Sequence, residues 1–101
     1  APDDAMNSVF HRGDSLLIDK SANEITETDI YALQTQTGDL YVRYVRRDIG
    51  SGYSVYADDE RHAPIQKFSE TEFADNLNVI GRYVFKGCWR QNLWYLDNHS
   101  H

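Results

Sequence analysis

Asp4-Ala5-Met6-Asn7-Ser8-Val9-Phe10-His11-Arg12-Gly13-Asp14-Ser15-Leu16-Leu17-Ile18-Asp19 lies at the start of the chain and decides how the rest is read. It divides into an irregular lead-in, a turn at Gly13-Asp14 and a short apolar strand from Ser15 to Asp19. Every later element is placed relative to that strand.

Outward from it, the polar run Lys20 to Glu24 is a connection, and Ile25 to Asp29 leads into a second strand, Ile30 to Thr35, rich in β-branched and aromatic residues. Thr37-Gly38-Asp39 is a tight turn, and Leu40 to Arg47 follows as a third strand, so the two should pair as a hairpin. A second turn, Asp48 to Gly52, precedes the alternating run Tyr53 to Ala57, and Ile65 to Phe68 reads as another short strand. Ser69-Glu70-Thr71-Glu72 has the spacing of a capping box and opens a helical turn through Phe73 and Ala74. The last expected strand is Asn78 to Phe85. The fold class is therefore mostly β, with short antiparallel strands and hairpins.

The 101 residues, 41% of them apolar, fit one domain with a modest core. Aromatics make up 13%, with seven tyrosines, a composition that favours strands. No window approaches 18 consecutive apolar residues, and no basic segment precedes an apolar run. Cys88 is the only cysteine, so no internal disulfide can form, and a reducing cytoplasmic setting is expected. The net charge of −6 repels a phosphate backbone, so this domain by itself is not expected to bind DNA.

The opening stretch resembles the start of the C-terminal domain of LexA-like and phage CI-like repressors, the S24 peptidase family. There the pattern G-D-S-M-x-P-T-hydrophobic-x-x-G-D-hydrophobic-hydrophobic carries a nucleophilic serine. Asp4, Met6, Phe10, Gly13, Asp14, Leu16, Leu17 and Ile18 match, whereas Asp3, Ala5, Ser8 and Val9 stand where the family has Gly, Ser, Pro and Thr. Two further segments follow in order. Asp58 to Ile65 is similar to a loop of the family and keeps Pro64 and Ile65, with Ala63 in place of an aromatic residue. Leu77 to Gly87 is similar to its last strand, through Gly81-Arg82 and Val84. The resemblance covers residues 4–87 and implies a small, strongly bent β domain, followed by an aromatic extension at residues 88–101.

By the same register, Arg43 stands where the family has its catalytic lysine. A serine-lysine hydrolase needs an oxygen nucleophile and an amine that can shed its proton. Alanine at position 5 has no heteroatom, and the guanidinium of Arg43 stays protonated. The resemblance thus implies a chain without peptidase activity. An engineered serine-to-alanine change would explain Ala5 but not Arg43. Ser8 and Ser15 lie nearby but read as turn or surface hydroxyls. An active hydrolase with an unrecognised nucleophile is the weakest alternative.

No cofactor or metal is expected. His99 and His101 belong to a polar tail, His11 and His62 are isolated, and Asp58-Asp59-Glu60 lacks a spaced third carboxylate. What the resemblance leaves is assembly: the domain would join repressor subunits as a dimer or larger oligomer and so support cooperative operator binding. Operator DNA would be reached only through an N-terminal reader domain absent from this sequence, since the chain reads as a fragment of a longer repressor. Tyr83, Phe85, Trp89, Leu93, Trp94 and Tyr95 are the expected contact residues, because aromatic groups are enriched at interfaces. The tail from Trp89 onward could equally fold back on its own sheet. The alternative from another class is a peptide-binding module, in which the former cleavage cleft receives an antirepressor or other partner segment.

Overall fold

The computed structural model describes residues 3, 5, 6, 9, 13–59, 61, 63–84 and the backbone of residues 93–96. Their elements run β1 (Leu16–Asp19), β2 (Asp29–Thr35), β3 (Leu40–Arg47), β4 (Tyr53–Tyr56), β5 (Gln66–Phe68), α1 (Glu70–Asn76), β6 (Leu77–Tyr83) and β7 (Leu93–Leu96). The strands form one antiparallel sheet in the order β5-β4-β3-β2-β6-β1-β7. The mostly β expectation holds.

Local chemistry accounts for the hairpins. Gly38, at φ 89°, closes the β2–β3 turn, where the Gly38 N–H donates to the Thr35 carbonyl at 3.0 Å. The hairpin then zips from Gln34 opposite Leu40 to Asp29 opposite Val45. At the next turn the Asp48 N–H donates to the Gly52 carbonyl, and Gly52, at φ 93°, passes so close to β5 that a Cβ would lie 2.5 Å from the Phe68 carbonyl oxygen.

β2 is central and buried on both faces from Ile30 to Leu33, so its side chains feed two cores alternately. Ile30 and Ala32 join Ala5, Met6, Leu16, Ile18, Val42 and Ala57 on one side. Tyr31 and Leu33 join Ile25, Val45, Val55 and Phe73 on the other. Between Ala32 and Leu33 the β2–β6 register slips by one residue, leaving Ile80 as the extra residue on β6. Gly81 follows the slip; a Cβ there would lie 2.8 Å from Cγ2 of Ile18, so the crossing with β1 requires glycine.

The capping box forms as the spacing suggests: Ser69 Oγ accepts from the Glu72 N–H, and Glu72 Oε1 accepts from the Ser69 N–H. The helix runs two residues past Ala74 and packs Phe73 against Tyr53, ring centroids 4.4 Å apart, and edge-on against Phe68. Other boundaries also shift slightly. β4 ends at Tyr56 instead of Ala57, β5 begins at Gln66 instead of Ile65, and β6 spans Leu77–Tyr83. Leu93–Leu96 was expected only as an apolar tail. Its backbone forms a strand that pairs with β1, Ile18 opposite Trp94 and Leu17 opposite Tyr95.

Candidate functional site

β4 pairs with β3 only from Tyr44 to Arg47. The first half of β3, Leu40 to Arg43, has no β4 partner, and the chain beyond β4 leaves the sheet there. The lead-in to β1 joins that departing segment. The Ala5 carbonyl accepts from the Asp59 N–H at 3.0 Å, and the Asp59 carbonyl accepts from the Ala63 N–H at 2.9 Å. Met6, fully buried, anchors the lead-in to the core.

This brings positions 5 and 43 to one carboxylate. Ala5 is buried, its methyl within the cluster that contains Met6 and Val42. Alternation along β3 sends Arg43 to the opposite face from Val42, beside Tyr31 of β2. The two meet at Asp3. Arg43 Nη2 donates to Asp3 Oδ2 at 2.8 Å and Nη1 to Oδ1 at 3.2 Å, while the Ala5 N–H donates to the same Oδ1 at 3.2 Å. Arg43 Nη1 also donates to the Val42 carbonyl at 2.9 Å, and the guanidinium lies 5.2 Å from the Tyr41 ring centroid. Its side chain is 9% exposed and that of Asp3 25%. A buried cation is thus matched by a fork-to-fork carboxylate pair.

Beside Arg43 opens a cleft of about 330 Å³. Tyr41, Val55, Tyr56, Pro64 and Leu77 give it an apolar wall, and among the described residues Arg43 is the one charged group lining it. Tyr56 is held in place by stacking on Tyr44 at 5.1 Å. Thr35 and Gln66 add uncharged polar groups to the same lining. Ala5 is not among the residues that line the cleft. Ser15 is exposed at the mouth of β1, and Ser8 lies outside the described residues.

The remaining polar clusters are structural. Ser54, fully buried, donates from Oγ to Asp48 at 2.9 Å, and Arg46 Nε donates to the same carboxylate at 3.3 Å. The Ser54 hydrogen bond is the main cause holding the Asp48 carboxyl below its ordinary value. Arg82 on β6 pairs with Glu27 at 2.5 Å. Among the described residues no group of three histidine, cysteine, aspartate or glutamate side chains could hold a metal ion, and no helix is long and apolar enough to cross a membrane.

Of the expected contact residues, Tyr83 is half-buried against the first core cluster. Leu93, Trp94 and Tyr95 fall on β7, at one edge of the sheet. Phe85, Trp89, Cys88, His11, His62, His99 and His101 lie outside the described residues. Asp3 is the site residue that sequence reasoning missed. Its one signal was a carboxylate where the family pattern has glycine, forty positions from an arginine that replaces lysine.

Comparison with curated proteins and with solved structures gives no match. A family model described as Peptidase S24-like matches residues 1–84, a span that holds Asp3, Ala5, Arg43 and all the strands from β1 to β6. The chain belongs to the Peptidase S24-like family.

Proposed function

We propose that this domain is a non-cleaving S24-like unit that joins copies of a repressor to one another. The observation that carries the first half is the state of the two positions that the sequence resemblance reads as the dyad. Position 5 presents a buried methyl, and position 43 presents a guanidinium already bound to Asp3. A general base must accept a proton, and an arginine in an ion pair is the least suited side chain to do so.

Support for the second half comes from the sheet edge. β7 ends the sheet and carries the sequence Leu-Trp-Tyr-Leu, without a charge or proline. Protein edges that must stay unpaired are blunted by lysine, proline or a bulge. An apolar, uncharged edge strand suits pairing with a second copy. The dimer would then hold two DNA-reading domains together and raise operator occupancy through effective concentration.

Size-exclusion chromatography with light scattering tests the assembly role. The unchanged chain should elute above monomer mass at tens of micromolar, and Trp94→Ala should lower the mass at equal concentration. Identical monomer masses for both would count against it. Prolonged mildly alkaline incubation of the full-length parent, followed by intact-mass measurement, tests the loss of chemistry; one specific internal cut would overturn it.

A second reading is favoured by the cleft beside Arg43, whose apolar wall and the neighbouring half of β3 that lacks a β4 partner suit an added peptide strand. It predicts that a partner segment protects Tyr41 and Tyr56 from solvent without changing the oligomeric mass.

A further inference from the structure

We propose that the Asp3–Arg43 pair is a clasp: it fastens Asp3 and Ala5 to the first half of β3 and, while closed, occupies the cation that lines the adjoining cleft. The inference stands apart from the assembly role, since it concerns how the lead-in is fastened.

Three observations carry it. The pair joins residues 40 positions apart through two hydrogen bonds, so closing it fixes the lead-in to β3 and not merely to its own neighbours. The carboxylate that binds Arg43 also takes the Ala5 N–H, so one side chain ties strand and lead-in together. The strand half beneath has no β4 partner, so no strand hydrogen bonds from β4 duplicate the fastening.

The two ends of the lead-in differ in what holds them. Met6 is fully buried and packs in the core, whereas the Asp3 side chain is a quarter exposed and reachable by water. Opening should therefore pivot about Met6, release Asp3, and loosen the Ala5 carbonyl from the Asp59 N–H. In the open state the Arg43 fork lines the cleft with its bonds to Asp3 released, while Nη1 keeps its bond to the Val42 carbonyl. Local opening of this kind draws on a few surface-accessible hydrogen bonds and leaves the core intact.

Amide hydrogen exchange of the whole chain, with Arg43→Gln and Asp3→Asn variants, tests the clasp. The amides to follow are Ala5 and Asp59, with Ala32 and Val45 as core references. In both variants Ala5 and Asp59 should exchange at least ten-fold faster than in the unchanged chain, with the core references within two-fold. Asp59 is the deciding reporter, because its N–H bonds to the Ala5 carbonyl and touches neither substituted side chain. Unchanged Asp59 exchange in both variants would overturn the proposal, leaving Asp3 as a local turn acceptor. Acceleration of Ala32 and Val45 by the same factor in both would also overturn it, since the pair would then be part of the global fold. Should Arg43→Gln fail to fold, Asp3→Asn, altered at the more exposed member, decides alone.

Discussion

Asp3 and Arg43 meet across 40 residues of chain, with Nη2 to Oδ2 at 2.8 Å and Nη1 to Oδ1 at 3.2 Å. The Ala5 N–H donates to the same carboxylate at 3.2 Å, whereas the Ala5 methyl packs with Met6 and Val42. That arrangement sets what the site can and cannot do.

On the proposed reading of positions 5 and 43, reconstruction of a dyad should need three changes. In Ala5→Ser/Arg43→Lys the new amine would sit beside the Asp3 carboxylate, which favours its charged form and opposes its use as a base. A fluorophosphonate probe, in which the serine oxygen displaces fluoride while the lysine takes the proton, should label this double variant poorly. Adding Asp3→Gly should raise labelling at least ten-fold. Equal labelling of the two would show that Asp3 does not govern the site.

Core substitutions should separate packing from backbone approach. Met6→Ala, at a fully buried position, should cost about 2–5 kcal/mol by urea unfolding. Gly81→Ala places a methyl against Ile18 and the β1 backbone and should cost about 1–3 kcal/mol. Gly50→Ala meets no atom within 4 Å, but its φ of 95° still disfavours a side chain, by about 1–2 kcal/mol. A Gly81→Ala protein as stable as the unchanged chain would contradict the described crossing.

Acid should weaken the fold through two carboxylates. Hydrogen bonds from the Ser69 backbone N–H and then its side chain lower the pKa of Glu72 below its ordinary 4.5, and the Ser54 hydroxyl lowers that of Asp48 below 3.8. A group depressed on folding lends stability that is present above its unfolded pKa and lost as pH falls through the folded one. Urea midpoints should therefore decline from about pH 5 downward. Glu72→Gln and Ser54→Ala should each flatten that decline; an unaltered slope in both would remove these groups from the account.

Much of the fold was legible because its signals are local. The Thr37-Gly38-Asp39 turn fixed the β2–β3 hairpin, and Ser69 with Glu72 fixed the start of α1. The residues at positions 5 and 43 were legible as a pair only through the resemblance. Asp3 was not, because an ion pair spanning 40 residues leaves no mark in either neighbourhood. β7 was missed for a related reason: four apolar residues in a row carry no period, and only their pairing with Leu16 to Asp19 makes them a strand. The slip at Ile80 likewise depends on how β2 and β6 meet.

Sedimentation equilibrium of the unchanged chain across a concentration series tests the proposed assembly role most directly. The mass should climb from that of the 11.7 kDa chain toward a whole-number multiple as concentration rises into the high micromolar range. A mass that stays at the single-chain value throughout would contradict it.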